Sequence, residues 1–120
     1  MNDIDNNMLE HLVVDSGAII KGQGFGFHRI AKNFWTIPEV IDEIRDEKSR
    51  ELLAALPFTL ETKIPSDIAM KAVSDFAKQC GDYSQLSLTD LKLMALAYML
   101  EIEDVGSDAH LRKIPVVSIY

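Results

Sequence analysis

The predicted fold is decided by the stretch HLVVDSGA, which occupies residues 11–18. A short apolar run ends there in a carboxylate and small residues follow, as where a buried strand of an α/β sheet ends. We therefore predict a strand over residues 11–14 and a short helix over residues 16–20, capped by Asp15 or Ser16. This places Asp15 at the carboxyl end of a strand, the position at which such sheets carry functional groups.

Segments with alternating strand and helix patterns follow this stretch. Their predicted bounds are 34–37 and 58–64 for strands, and 38–55, 67–79 and 90–101 for helices. Ser66, and then Ser87 or Thr89, are in position to cap the last two helices. Strands and helices in this order predict an α/β fold, with a parallel sheet covered by helices.

One domain fits the length of the chain, and its ends differ in character from the rest. The polar and acidic residues 1–10 are expected to form a flexible N-terminal tail, and residues 11–105 the α/β domain. Residues 106–120 carry a weaker pattern with a possible strand over 116–119.

Composition and charge exclude several classes of protein. The net charge of −7 argues against nonspecific binding to duplex nucleic acid. Cys80 is the single cysteine, so neither an internal disulfide nor a cysteine-based zinc site is expected. This use of cysteine predicts an intracellular protein. No apolar run is long enough to span a membrane. His11 is expected to be a surface or edge residue.

Three acids could meet at the carboxyl edge of the sheet, namely Asp15, Glu43 and Asp90. Convergent carboxylates repel one another unless a divalent cation lies among them, and hard oxygen ligands select Mg²⁺ or Mn²⁺. Each acid also has an ordinary alternative role. Asp15 could cap a helix, Glu43 could belong to a solvated helix face, and Asp90 could interact with a helix dipole. Asp82 could be an outer ligand, although a Gly-Asp pair is typical of a turn.

A glycine-rich stretch at residues 21–27 predicts a mobile loop. Its Gly-Phe-Gly-Phe run resembles the RNA-stacking signature of the RRM fold, but no four-stranded antiparallel pattern surrounds it. Aromatic and basic side chains here could still stack on bases and hold phosphate. Alternatively, the phenylalanines fold back on the core. The candidate RNA-binding residues are Phe25, Phe27, His28, Arg29 and Lys32.

Four segments carry a resemblance to a known family. Their sequences are VVDSGA at 13–18, TIPEVIDEIRD at 36–46, AALPF at 54–58 and GDYSQLSLTDL at 81–91. In combination they resemble PIN domains, a group of metal-dependent ribonucleases. Over roughly residues 11–105 the segments resemble the Nob family, the PIN endonuclease of small-ribosomal-subunit maturation.

The resemblance implies a function and its site. Asp15, Glu43 and Asp90 fall on the family's metal-binding acids, with Mg²⁺ or Mn²⁺ as the cofactor. The implied reaction is cleavage of precursor rRNA to mature the 3′ end of the small-subunit (18S) rRNA by metal-activated water. The implied partners are pre-rRNA, the pre-40S particle and assembly-factor proteins, and no membrane partner is implied. The implied localisation is the nucleus, the nucleolus and the cytoplasm. The alternative is a catalytically silent RNA- or protein-binding module of pre-40S assembly.

Parts of the family pattern do not occur in these 120 residues. Nob proteins carry a long insertion, a further acid on a later strand and a zinc ribbon. We interpret residues 106–120 as the start of that insertion or as a tail. We therefore expect a PIN-like fold that is incomplete at the C-terminus and that cleaves RNA poorly or not at all. One edge of the strand at 11–14 is expected to be exposed and open to self-association, unless residues 116–119 cover it.

Overall fold

The computed structural model describes residues 8–105 and 117–119. The elements in chain order are β1 (Leu9–Val13), α1 (Ser16–Ile20), a 3₁₀ helix (Gln23–Arg29), β2 (Ala31–Thr36), α2 (Pro38–Glu43), α3 (Glu47–Ala54), β3 (Leu60–Thr62), α4 (Asp67–Cys80), a second 3₁₀ helix (Tyr83–Gln85), α5 (Leu88–Val105) and β4 (Val117–Ile119). Within the described ranges, no helix has the length and apolar content that crossing a bilayer requires. The predictions for residues 1–7, 106–116 and 120 lie outside the described residues.

The four strands form one parallel sheet in the order β3-β2-β1-β4. The α/β fold with a parallel sheet is thereby confirmed. All carboxyl ends lie at the same edge, which we call the carboxyl edge. β4 pairs with the side of β1 that β2 leaves free, with His11 opposite Val117. That side of β1 was expected either to be exposed or to be covered by residues 116–119, and the structure shows that β4 covers it.

Alternation along β1 divides the core between the two faces of the sheet. Leu12 and Val14 belong to a buried cluster with Ile19 of α1 and Phe34 of β2. Val13 points to the other face, where it packs with residues of α2 and α5, among them Val40, Leu93 and Leu96. Each such side chain contributes about 1.5–3 kcal/mol to folding when it is removed from water.

The helix α4 forms an outer layer, because it packs on α5 rather than on the sheet. Small residues let the two helices approach closely, and the cluster between them contains Ala69, Val73, Ala77, Leu91 and Ala95. The N-terminus of α4 is capped by Ser66, whose Oγ accepts from Ala69 N at 3.1 Å. Its C-terminus is closed by Gly81 at φ 80°, a left-handed conformation that favours glycine. Both caps agree with the sequence prediction.

The single helix predicted over residues 38–55 is wrong, since α2 and α3 are separate helices. The break occurs at Ile44, which has φ −87° and ψ 90°. A new helix starts because the Asp46 carboxylate accepts from Ser49 N at 3.0 Å. The carbonyl of Ile44 is satisfied by Arg50 Nε at 3.2 Å. Local hydrogen bonds therefore compensate for the helical bonds that are lost. The strand predicted over 58–64 is also shorter, covering only residues 60–62.

The mobile loop predicted over residues 21–27 is likewise wrong, because Gln23–Arg29 form a 3₁₀ helix. Gly22 precedes this helix at φ 75°. Gly24 lies so close to the core that a Cβ at this position would meet Leu56 Cδ2 at 2.6 Å. Phe27 is buried and stacks near Phe58 with ring centroids 6.4 Å apart. Gly24 therefore permits close packing against Leu56 here.

Two side-chain hydrogen bonds join β1 to β2. Trp35 Nε1 donates to His11 Nδ1 at 2.9 Å, and Thr36 Oγ1 donates to the carbonyl of Val14 at 2.7 Å. His11 is only 8% exposed, so its prediction as a surface or edge residue is wrong. The bond from Thr36 is fully buried and holds the chain just before Asp15.

Candidate functional site

Asp15 lies two residues after the end of β1 and caps α1. Its backbone is extended, with φ −92° and ψ 162°, and its Oδ1 accepts from Ser16 N at 2.7 Å. The preceding residue is held by a hydrogen bond from Val14 N to the carbonyl of Trp35 at 2.8 Å. The parallel pairing of β1 and β2 therefore fixes where the carboxylate lies, at the carboxyl edge of the sheet.

Glu43 reaches the same place from the end of α2. Ser16 Oγ donates to Glu43 Oε2 at 3.1 Å and lies 3.4 Å from Asp15 Oδ1. One hydroxyl group thus contacts two carboxylates that are 28 positions apart in the sequence. The structure brings Asp15 and Glu43, two of the three predicted acids, to the same hydroxyl group at the carboxyl edge.

Ser16 is a site residue that the sequence did not indicate as one. From the sequence it is only an alternative cap for α1. Its position directly after an acid at a strand end is the one local signal for a role at the site. That signal does not reveal the partner across the edge, because Glu43 is brought there by the packing of α2.

Asp90 is engaged elsewhere, in a capping box at the start of α5. Asp90 Oδ2 accepts from Ser87 N at 3.0 Å, and Ser87 Oγ accepts from Asp90 N at 3.0 Å. Across residues 8–105 and 117–119, no group of three or more His, Cys, Asp or Glu side chains is placed to hold a metal ion. The predicted set of three acids is therefore present in part, as the pair Asp15 and Glu43.

Both carboxylates of this pair contact the Ser16 hydroxyl, and neither forms an ion pair among the described residues. The ion pairs among the described residues involve other acids, namely those of Lys32–Glu10, Lys63–Glu103, Lys71–Asp75 and Lys92–Glu39. Neighbouring carboxylates without a basic partner favour a cation between them, and their hard oxygen atoms suit a divalent ion. Asp15, Glu43 and the hydroxyl of Ser16 are accordingly a donor set that fits such an ion.

Lys92 is the cation nearest in sequence to Asp90, and it pairs with Glu39 of α2. The hydrogen bond from Lys92, together with Glu39's own backbone N–H, lowers the pKa of Glu39 below its ordinary value of 4.5. This pair joins α5 to α2, the helix that ends in Glu43. It therefore ties together two of the elements that carry the predicted acids.

Asp82 lies in a turn before the second 3₁₀ helix. Its carbonyl accepts from Gln85 N at 3.0 Å, and its own N–H donates to the carbonyl of Ala77 at 3.0 Å. The side chain is exposed and caps no helix. These bonds are those of a turn residue, the ordinary alternative for Asp82.

The candidate RNA-binding residues lie at the opposite edge of the sheet from Asp15. They precede or begin β2, whose six residues span roughly 16 Å at about 3.3 Å per residue. Phe27 is a core residue rather than an exposed ring, and Lys32 pairs with Glu10 at 3.0 Å. Phe25, His28 and Arg29 are exposed, but on this far side. The parallel sheet also excludes the RRM fold.

Comparisons with known proteins agree with this architecture. A family profile described as "PIN domain of ribonuclease" matches residues 12–100. The chain is 46% identical over 107 residues to the 20S-pre-rRNA D-site endonuclease nob1 of Schizosaccharomyces pombe, a match that covers 89% of the chain. It is 44% identical over 107 residues to the RNA-binding protein NOB1 of Mus musculus, and 34% identical over 105 residues to the endoribonuclease Nob1 of Pyrococcus abyssi.

These relatives are longer than the chain. The matched residues span 27% of the length of the fission yeast protein and 26% of the mouse protein, against 61% of the archaeal one. The similarity therefore concerns the α/β domain that carries Asp15 and Glu43.

Proposed function

The chain belongs to the PIN domain family of ribonucleases, and on this basis we propose that it is the nuclease domain of a metal-dependent endoribonuclease of ribosome biogenesis. Its substrate is precursor rRNA, cleaved to form the 3′ end of the small-subunit rRNA. The observation that carries the proposal is the pairing of Asp15 with Glu43 through Ser16 at the carboxyl edge. The relatives named as pre-rRNA endonucleases support the choice of substrate.

PIN nucleases generally use divalent metal ions, and we propose Mg²⁺ or Mn²⁺ for this chain. Asp15 and Glu43 would hold the ion, and Asp90 would join them when its capping box opens. A bound divalent ion lowers the pKa of water and neutralises charge that develops on a phosphate. Ser16 keeps the Glu43 carboxylate beside Asp15, and the buried bond from Thr36 to Val14 fixes the backbone beneath both.

The proposed enzyme acts on the pre-40S particle, with assembly-factor proteins positioning the RNA. A chain that acts on this substrate would be found in the nucleus, the nucleolus and the cytoplasm. The likeness to a protein named for RNA binding supports RNA as the partner.

Metal titration followed by NMR tests the site independently of RNA. Millimolar Mg²⁺ should shift the amide signals of residues 15–17 and 43, and Mn²⁺ should broaden them, while Asp82 and its neighbours remain unchanged. Cleavage of an RNA that contains the 3′ junction of small-subunit rRNA, compared with an RNA whose junction is scrambled, tests the reaction. Absence of any metal response at residues 15 and 43 would refute the metal site.

The placement of Asp90 favours a second candidate function, a catalytically silent module that binds pre-ribosomal RNA or an assembly protein. Its carboxylate accepts from Ser87 N in the capping box, and among the described residues it joins no group of three or more side chains that could hold a metal ion. The two candidates differ in the titration, because only the enzyme requires Asp90 to respond to the metal. RNA binding without metal-dependent cleavage would favour the silent module.

A further inference from the structure

The break between α2 and α3 places two arginines at one cavity. Arg45 Nε donates to the carbonyl of Asp42 at 3.0 Å, and Arg50 Nε donates to the carbonyl of Ile44 at 3.2 Å. Both carbonyls lie where α2 ends, because the chain leaves the helix at Ile44. Each guanidinium group is thereby held through its Nε, and the terminal Nη groups remain as donors for a ligand.

The two arginines border an open cavity of about 650 Å³. This volume is within the range of small-molecule sites, about 300–1,000 Å³. The other residues that border the cavity are Ile41, Asp42, Ile44 and Leu53. The charged groups around it are therefore two guanidinium groups and the carboxylate of Asp42, which leaves an excess of positive charge. A cavity with this lining suits an anion.

Neither arginine is neutralised by an acid within the described part of the chain. The ion pairs there are formed by lysines, and neither Arg45 nor Arg50 belongs to one. Asp46, which follows Arg45 in the sequence, uses its carboxylate to accept from Ser49 N at 3.0 Å. Two unpaired guanidinium groups favour a ligand with several negative oxygen atoms, and their planar forks match two oxygens of a phosphate.

The cavity is next to the paired acids. Glu43 ends α2 and accepts from the Ser16 hydroxyl, and Arg45 follows two residues later. The Cα atoms of residues 43 and 45 are at most about 7.6 Å apart, because each trans peptide separates neighbouring Cα atoms by about 3.8 Å. Arg29, one of the residues predicted to bind RNA, lies at the other edge of the sheet. The arginines at the break are therefore better placed to hold a strand whose scissile phosphate is at the acid pair.

We propose that Arg45 and Arg50 together bind a phosphate of the RNA strand close to the scissile phosphate. Their Nη groups donate to the nonbridging oxygens of that phosphate. The inference rests on the proposed function, because it takes the acid pair as the place of cleavage. The arginines touch the strand but not the atoms that react. Such a contact is equally strong in the ground state and the transition state, so it acts on KM rather than on kcat.

Binding of a single-stranded RNA tests the site without relying on cleavage. The probe is a fluorescein-labelled RNA of about 12 nucleotides that contains the 3′ junction of small-subunit rRNA. The parent protein is the 120-residue chain with Asp15→Asn in Mg²⁺, and fluorescence anisotropy measures the affinity. Adding Arg45→Gln or Arg50→Gln should weaken binding about tenfold, as for a lost hydrogen bond between charged groups. The slope of log affinity against log salt should also become shallower by about 0.7, the value for one phosphate contact.

Two further variants separate phosphate binding from general attraction to a positive charge. Lys48→Gln removes the same charge from α3, but Lys48 does not border the cavity. It lies two residues from Arg50, so the two side chains face different sides of the helix, and binding should stay close to that of the parent. Arg50→Lys keeps the charge without the planar fork and should recover only part of the affinity. Thermal melting establishes that each variant is folded.

Cleavage of the same RNA in Mn²⁺ distinguishes this inference from the proposed function. With Asp15 intact, Arg50→Gln should raise KM about tenfold and leave kcat near its original value. If the chain cleaves the RNA and both glutamine variants bind and cleave it normally, the phosphate site is refuted and the proposed function stands. If no form cleaves the RNA but binding still requires both arginines, the phosphate site stands and the proposed reaction fails.

Two other results would overturn the phosphate site. One is a loss of RNA binding in Lys48→Gln as large as that in Arg50→Gln, because the effect would then come from net charge. The other is tighter binding of a poly-glutamate peptide than of the RNA, with the same dependence on Arg45 and Arg50, because the ligand would then be an acidic protein segment.

Discussion

The carboxyl edge of the sheet and the start of α5 each hold an acid at a helix N-terminus, but the acids have different partners. Asp15 accepts from its neighbour Ser16 N and also lies near Glu43, which comes from a distant part of the chain. Asp90 exchanges hydrogen bonds only with Ser87, three residues before it, in the bonds described. At the start of α5, the acid is satisfied by a residue three positions before it. At the end of β1, a second acid is added by α2, the helix that follows the neighbouring strand β2. Each of the predictions below tests that difference.

The largest effect is expected for Asp15→Asn. Asn still caps α1 but carries no negative charge, so metal-dependent cleavage should fall about 10²- to 10³-fold while the melting temperature is unchanged. Single-turnover cleavage in Mn²⁺ measures the effect. The control is Asp42→Asn on α2, an exposed acid outside the pair, which should cleave like the unmodified chain. Equal rates for the two variants would contradict a special role for Asp15.

Ser16→Ala should weaken binding of Mn²⁺ about tenfold or more, because residues that orient metal ligands typically contribute this much. The hydroxyl that contacts both carboxylates is removed, while the N–H to Asp15 remains. Isothermal titration calorimetry measures the affinity. Ser16→Thr keeps a hydroxyl and should restore most of it. If Ser16→Ala binds the metal normally, the hydroxyl is only part of the cap.

Ser87→Ala should lower the free energy of unfolding by about 1 kcal/mol, the usual value for a lost cap. Urea denaturation measures this change. The affinity for Mn²⁺ should not fall, because the lost Oγ accepts from the backbone N–H of Asp90, whereas the bond from Ser87 N to the Asp90 carboxylate remains. A loss of affinity as large as that of Ser16→Ala would show that the two helix starts act alike.

The smallest effect concerns the pair of Glu39 and Lys92, which joins α2 to α5. The pKa of Glu39 is lowered from 4.5 in the folded state, so its stabilisation is present above that pH and is lost as the pH falls through the lowered value. Lys92→Met should therefore cost about 0.5 kcal/mol near pH 7, since the pair is partly exposed, and nothing at a pH low enough to protonate Glu39 in the folded protein. Urea denaturation at both pH values measures it. If Lys92→Met lowers the free energy of unfolding equally at low pH, the effect does not come from the charge of Glu39.

Several features were predictable because their causes are local. Ser66 and Gly81 were predicted as the ends of α4, since a hydroxyl that caps and a glycine at positive φ act through neighbouring atoms. The parallel α/β sheet followed from the order of strand and helix patterns. The break at Ile44 was missed, although Asp46 carries its signal, because the apolar stripe continues into α3. The apolar residues recur at the same spacing whether this segment forms one helix or the two helices α2 and α3.

The sequence by itself determined that this chain is an α/β domain with Asp15 at the end of its first strand, because side-chain alternation and capping act within a few residues. Tertiary structure decided which groups meet. It placed His11 and Phe27 in the core, joined Glu43 to Asp15 through Ser16, and left Asp90 with Ser87. The reason is physical: contacts across 27 positions depend on the docking angle of whole helices on the sheet, which no local pattern encodes.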